Sequence, residues 1–298
     1  MFPNATPSRI RFTIGGALTA AFDAIGANLG PMAVLALAVV GVPQLLVRLA
    51  MPPAAVAVAA AQPFAQSPAS LVLLAVNFIT GVLLEGAVTL IVITYLNGRR
   101  PRIGESLARV GPIFLPLIGI ALTIGVAAFL IIIATIIPLI VIVAFTSRGM
   151  VTDPSLGVLV GLSAVLVAII PMLFVVIMWA VAAPVQVVER RGVIGSLSRS
   201  AELTARHRWA ILAVLAVMAL IGGAVGMVGF GLSALANMLL ISLGAFAGFP
   251  KLFVSSLVTA AVSSLGAMFG AAGRAGIYFE LRRAKEGASP ESLGSVFD

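Results

Sequence analysis

Along this chain the polar residues gather into short clusters that separate long apolar runs. The runs that reach the roughly 20 residues needed to cross a bilayer cover 31–49, 70–96, 112–145, 155–188, 209–241 and 251–281. Apolar and polar positions do not alternate within them, as the strands of a membrane β-barrel would require. The pattern therefore predicts an all-α integral membrane protein with about six transmembrane helices. A run of about 34 residues makes roughly 50 Å of helix against a hydrocarbon core of about 30 Å, so the longer helices must tilt, bend or extend into water. Pro138 and Pro171 are the expected kink points, because each removes a backbone hydrogen bond and crowds the preceding turn. The proline-rich stretch 52–69 is too short to cross and reads as an outer loop.

Composition narrows the class further. Hydrophobic residues make up 61% of the chain and charged residues 9%, against about 25% charged in a soluble domain. The chain has no cysteine and one histidine, His207, which excludes disulfides, thiolate chemistry and histidine-rich metal sites. No metal and no cofactor is expected, and His207, just before Trp209, reads as an interfacial residue. Residues 1–30 are mixed in polarity, so no secretory signal peptide is expected.

The net charge of +8 reads as an orientation signal rather than as affinity for nucleic acid. Arg9 and Arg11 precede the first run; Arg99, Arg100, Arg102 and Arg109 follow the second. Arg190, Arg191, Arg199, Arg206 and Arg208 follow the fourth, and Arg282, Arg283 and Lys285 follow the last. The opposite side carries only Arg48, Arg148 and Lys251. The positive-inside rule then places both termini in the cytoplasm. Clustered near headgroups, these arginines would also form a basic belt for anionic lipids, at about 1 kcal/mol each.

Three lead-in stretches resemble one another: ANLGPMAVL at 27–35, ARVGPIFLP at 108–116 and ARHRWAILA at 205–213. They predict a single membrane domain, 1–298, built from three repeats of an interfacial helix and two spans (10–98, 99–188 and 189–285), with a short tail at 286–298. In the first repeat Ile14, Leu18, Phe22, Ile25 and Leu29 form an apolar stripe at helical spacing. In the others Glu105 with Arg109 and Glu202 with Arg206 share the i, i+4 spacing of an ion pair.

Two charges fall at membrane depth. Glu85 lies about 16 Å in from the inner end of the second run and Arg274 about 10 Å in from the inner end of the sixth, at 1.5 Å per residue. A bare charge near the bilayer centre is costly, so the two are expected to face the bundle interior and pair. The pair reads either as an internal clip or as a ligand site, with Asn77 and Asn237 as further polar liners. Nucleophilic catalysis needs a base beside the nucleophile, and no histidine follows Ser163 or Ser233 on a later span. Gly157 with Gly161, Gly222 with Gly226, and Gly266 with Gly270 have the spacing of close helix packing.

The stretches APVQVVERRGVIGSLSRSAELTARHRWAILAV (183–214) and GIYFELRRAKEGASPESL (276–293) resemble the membrane domain of bacterial glycerophosphoryl diester phosphodiesterases. The matching residues are Pro184, Glu189, Gly192, Arg199, Ser200, Leu203 and Trp209, then Tyr278, Glu280, Leu281, Arg282, Lys285, Glu286 and Gly287. The resemblance implies a multi-span protein of the bacterial inner membrane. It implies no phosphodiesterase activity, because the soluble catalytic domain of the longer relatives has no counterpart here. The expected function is non-enzymatic: a lipid-associated scaffold or membrane partner that meets anionic headgroups, with a protein partner allowed and nucleic acid not expected. The alternative is a transporter of a small polar solute or lipid.

Overall fold

The computed structural model describes residues 12–52, 55–56, 67–147, 154–242 and 249–286. Most of the expected outer loop, Arg9, Arg11, Arg148 and the tail beyond Glu286 lie outside these residues, as does the side chain of Pro138. Among the described residues the chain is helical throughout, with no strand. The main helices are α1 (Ile14–Ala36), α2 (Val42–Ala50), α3 (Pro68–Leu96), α4 (Ile103–Val110), α5 (Phe114–Ser147), α6 (Pro154–Met178), α7 (Ala182–Glu189), α8 (Gly192–Thr204), α9 (Arg208–Ser242) and α10 (Phe249–Glu286). Six segments are long and apolar enough to span a membrane: Ile14–Ala50, Pro68–Leu96, Ile103–Thr135, Ile169–Glu189, Arg208–Leu240 and Leu252–Glu286. Leu115, Leu220 and Phe230 are among the many large apolar side chains that face outward, as a lipid-bathed surface requires.

Each of the three similar lead-in stretches coincides with a break in helical geometry. In α1, Asn28 departs from helical dihedrals (φ −128°, ψ 23°) three residues before Pro31, and its side-chain amide donates to the Ala24 carbonyl at 3.0 Å. Pro31 has no N–H to give and crowds the carbonyl of Ala27, which explains the kink. A π-helical turn, Leu37–Gly41, then joins α1 to α2. In the second stretch a 3₁₀ turn, Gly111–Ile113, separates α4 from α5. In the third, the chain leaves helical geometry between α8 and α9, where the His207 N–H bonds to the Thr204 carbonyl.

The apolar stripe of α1 does not act as one face. Ile14, Phe22 and Leu29 are exposed and Ile25 is buried, whereas the small residues Ala17, Ala20, Ala21 and Ala24 turn inward. They meet α10 at Gly276, where an added Cβ would sit 2.6 Å from the Ala17 carbonyl oxygen. The close approach of two backbones, rather than the large side chains, fixes how α1 docks.

The fourth apolar run is two helices rather than one. α6 passes through Pro171, the expected kink point, and ends at Met178; α7 begins at Ala182. The break at Trp179–Val181 lies one turn before Pro184, whose ring would clash with the carbonyl of Ala180 in a continuous helix. The Met178 carbonyl left at the end of α6 is taken up by the hydroxyls of Ser200 at 2.9 Å and Thr204 at 3.3 Å. α7 in turn ends on Arg190 in the left-handed region (φ 51°), and Gly192 at φ 73° completes the turn into α8.

α10 is the central helix, packed against α1, α3 and α9. Burial concentrates at the end of the bundle where α7, α8 and the last turns of α10 meet α3: from Leu84 to Ile93 nearly every α3 residue is buried, as are Met268, Ala271, Ala272, Ala275 and Ile277 of α10. The expected glycine pairs do not sit at tight contacts. A Cβ at Gly222, Gly226 or Gly266 would meet nothing within 4 Å, whereas one at Gly273 would strike Met218 and one at Gly229 would strike Val262. The side-chain surroundings of Gly157 and Gly161 lie outside the described residues.

Candidate functional site

The end of α3 is the start of the site. Glu85 stands where α3 passes from a half-open stretch into the packed one, and Arg274 stands on the facing side of α10. Arg274 donates from Nε to Glu85 Oε1 at 2.6 Å and from Nη2 to Oε2, so the guanidinium grips both carboxylate oxygens. Such a two-pronged, charge-assisted geometry is the strongest form of the pair and suits an apolar setting. The Glu85 side chain is 13% exposed and that of Arg274 is 36% exposed.

The accessible part of Arg274 lines a cavity of about 460 Å³. Its walls come from α3, α5, the α6–α7 break, α9 and α10, and they are mainly apolar: Leu117, Ile120 and Ile124 of α5 and Trp179 at the break are typical. Asn77 also lines it, two turns from Glu85 along α3, about 12 Å at 1.5 Å per residue. A volume of this order accommodates a small amphiphile. The chemistry available is binding: an apolar body against α5 and α6, and a polar group against a neutralised ion pair and one amide.

Asn237 is not part of this cavity. Leu215 is the residue that α9 contributes, and Asn237 lies 22 positions further on, about 33 Å along the helix. Its amide donates to the Ser233 carbonyl at 2.8 Å, one turn back on its own helix. Polarity in an apolar run flagged Asn237, but depth along α9 separates it from the pair.

Charged and polar residues of the two resemblance stretches, Glu189, Arg199, Tyr278, Arg282 and Glu286 among them, assemble into one network at the arginine-rich end. Tyr278 donates its hydroxyl to Glu189 at 3.1 Å, and Arg282 reaches both the Tyr278 oxygen (3.4 Å) and Glu286 (2.9 Å). Arg199 bonds to Glu202 at 3.0 Å, pairs with Glu286, and lies 3.5 Å from Glu189, while Arg191 approaches Glu189 at 2.7 Å. Burial disfavours the charge on Arg199, but the bond to Glu202 and the charges of Glu189 and Glu286 outweigh it and raise its pKa. Lys285 donates to the Glu202 backbone carbonyl. Glu280 is buried, accepts from Thr13 at 3.3 Å and faces Arg283 at 3.8 Å, and Thr13 caps the first turn of α1 at Gly16. Ser200 caps α6, as above. The network thus ties α1, α6, α7, α8 and α10 together, and its geometry is that of a lock. Trp209 stands apart, 84% exposed at the start of α9.

The Glu105–Arg109 pair forms at 2.8 Å. Glu202 instead pairs with Arg199, three residues earlier, because the α7–α8 turn brings Arg199 to the acidic cluster. Two further residues belong to the polar and cavity-lining set: Trp179 in the cavity wall, and Gln44, which is buried on α2 and accepts from Ser263 of α10 at 2.8 Å. An amide inside an apolar run was a visible signal for Gln44; only the α6–α7 break places Trp179.

No curated protein and no solved structure is significantly similar to the chain. The family model described as Domain of unknown function (DUF7847) matches residues 10–281, and the chain belongs to that family.

Proposed function

We propose that this protein is a lipid-associated, non-enzymatic protein of the bacterial inner membrane, with both termini and its arginine-rich end in the cytoplasm, and that it holds one amphiphilic molecule in the cavity beside Glu85 and Arg274. The observation that carries the reading is the cavity itself: apolar walls on α5 and α6 converge on the paired charges and on Asn77. Neutralised by each other, the two charges offer a donor edge and an acceptor edge to a polar headgroup without leaving a bare charge in hydrocarbon. The concentration of arginines beyond the ends of α3, α7 and α10 supports the orientation. The resemblance to the membrane domain of glycerophosphoryl diester phosphodiesterases supports a bacterial membrane role beside lipids. Transport of a small polar solute is the weaker reading, because the walls around the pair are mainly apolar.

Native mass spectrometry of the protein released from mild detergent tests this reading. Wild type is expected to retain an amphiphile that Glu85→Gln and Arg274→Met lose. Because those changes also disturb the fold, Gly81→Leu serves as the second variant: Gly81 lines the cavity, and a Cβ there meets nothing within 4 Å, so the leucine fills the space and leaves the pair alone. Retention unchanged in all three variants, or no retained molecule in wild type, overturns the proposal.

A further inference from the structure

A second, smaller cavity lies at the arginine-rich end, where α3 gives way to α4. α3 stops at Asn97–Gly98: Gly98 adopts φ 73°, its N–H bonds to Tyr95, and the Arg99 N–H reaches back to Thr94 at 3.1 Å. This close turn satisfies the last carbonyls of α3 and so blunts the negative end of its dipole. The chain then runs through Arg99, Arg100 and Arg102 into α4, whose cap residue, Arg102, gives no side-chain hydrogen bond to the first turn. The leading N–H groups of α4 remain as open donors at the positive end of a helix.

Between these two helix ends lies a cavity of about 100 Å³, room for about three waters or one tetrahedral oxyanion. Arg99, Arg100, Arg102 and Arg109 line it, with Asn97 and Ser106. The one carboxylate in the wall, Glu105, is already held by Arg109 at 2.8 Å. Neither the amide nitrogen nor the amide oxygen of Asn97 has a hydrogen-bond partner, although both are shielded from solvent. A buried, unsatisfied amide is costly and calls for a partner. Positive charge in excess, open helix N–H groups and an unsatisfied amide converge on a space of the right size.

We propose that this cavity binds a phosphate group, gripped by Arg100 and Arg102, by the first turn of α4 and by the Asn97 amide. The site is separate from the cavity beside Glu85. It lies at the end of the Pro68–Leu96 span, which is the depth of a lipid phosphodiester, and inorganic phosphate presents the same oxygens from solution. Backbone N–H groups at a helix start and forked guanidinium groups are the usual partners of such oxygens.

The test uses the full chain reconstituted in phosphatidylcholine vesicles. Spin-labelled phosphatidylglycerol reports association with the lipid source, and radiolabelled inorganic phosphate reports association with the soluble one. Two variants address the pocket: the double change Arg100→Gln with Arg102→Gln, and Asn97→Leu, which leaves net charge unaltered. A charge-matched control, Arg190→Gln with Arg206→Gln, removes two arginines elsewhere. The pocket pair is expected to lose about tenfold more affinity than the control pair, and Asn97→Leu is expected to weaken binding without any change of charge. Loss confined to the phosphatidylglycerol arm identifies a lipid headgroup, and loss in the phosphate arm identifies the free ion; both support the site. Equal loss in the pocket and control pairs would reduce it to a diffuse basic surface and overturn the proposal, as would a wild-type protein with no preference for either anion.

Discussion

Arg274 of α10 and Glu85 of α3, 189 positions apart in the chain, meet in a two-pronged ion pair whose Nε–Oε1 distance is 2.6 Å. Removing one partner strands the other at membrane depth, whereas removing both leaves an apolar contact. Glu85→Leu or Arg274→Met alone is expected to cost about 2–3 kcal/mol, less than for a fully enclosed pair because the cavity leaves Arg274 partly accessible. The double change to Leu and Met is expected to recover most of that loss. Unfolding in mild detergent for the four members of the cycle measures it, and additive losses would deny the coupling.

The docking of α1 on α10 depends on the absence of a side chain at Gly276. A Cβ there would lie 2.6 Å from the Ala17 carbonyl, a backbone atom that cannot rotate away. Gly276→Ala is expected to destabilise the protein by about 1–3 kcal/mol, the usual cost of overpacking. Gly266→Ala, ten residues earlier on the same helix and open on that side, is expected to be neutral or mildly stabilising. Melting temperatures of the two variants decide between a local clash and a general effect of glycine on α10.

Ser200 holds the end of α6 through the Met178 carbonyl, with Thr204 as a longer second donor at 3.3 Å. Ser200→Ala is expected to cost about 1 kcal/mol, because Thr204 keeps the carbonyl from being orphaned. Ser200→Ala combined with Thr204→Val is expected to cost more than the sum of the single changes, since only the pair leaves the carbonyl without a partner. Equal stability of the double variant and wild type would show that the carbonyl finds another donor.

His207 precedes α9 and lies against Phe12, with ring centroids 5.4 Å apart and the rings tilted by 37°. Burial first, then the charges of Lys285 and Arg206, hold its pKa below the ordinary 6.5. As pH falls below 6.5 the unfolded chain therefore takes up a proton that the folded chain refuses, and stability declines until the folded pKa is passed. Above that window the histidine adds no pH dependence. His207→Asn is expected to flatten the part of the stability profile that lies just below pH 6.5, read from unfolding midpoints across a pH series; an unchanged slope would place the titration elsewhere.

Much of the site was legible because hydrocarbon is an unforgiving solvent. A glutamate and an arginine at similar depth in separate apolar runs have few ways to avoid a large desolvation cost, and pairing is the simplest. Asn237 was flagged by the same logic and lies elsewhere, since an amide can satisfy itself on its own helix, as Asn237 does with Ser233. The arginines of 99–109 were legible as charge, but not as a cavity, because that required the turn at Gly98 to fold α4 back against the end of α3.

The sequence by itself determined the class of the protein and its six spans, because crossing a bilayer demands a length of apolar helix that local composition records directly. It did not mark where the long helices are interrupted: the expected kink point Pro171 lies inside α6, whereas the breaks fall just before Pro31 and Pro184, which crowd the turn that precedes them. Only the tertiary structure decided which polar residues share a space: that Trp179 closes a cavity beside Arg274, that Ser200 caps a helix twenty-two residues earlier, and that small residues rather than the apolar stripe bind α1 to α10. Those relationships depend on how helices rotate and approach one another, and in lipid that is set by close packing and by the few hydrogen bonds available between helices, neither of which leaves a periodic trace in any one segment.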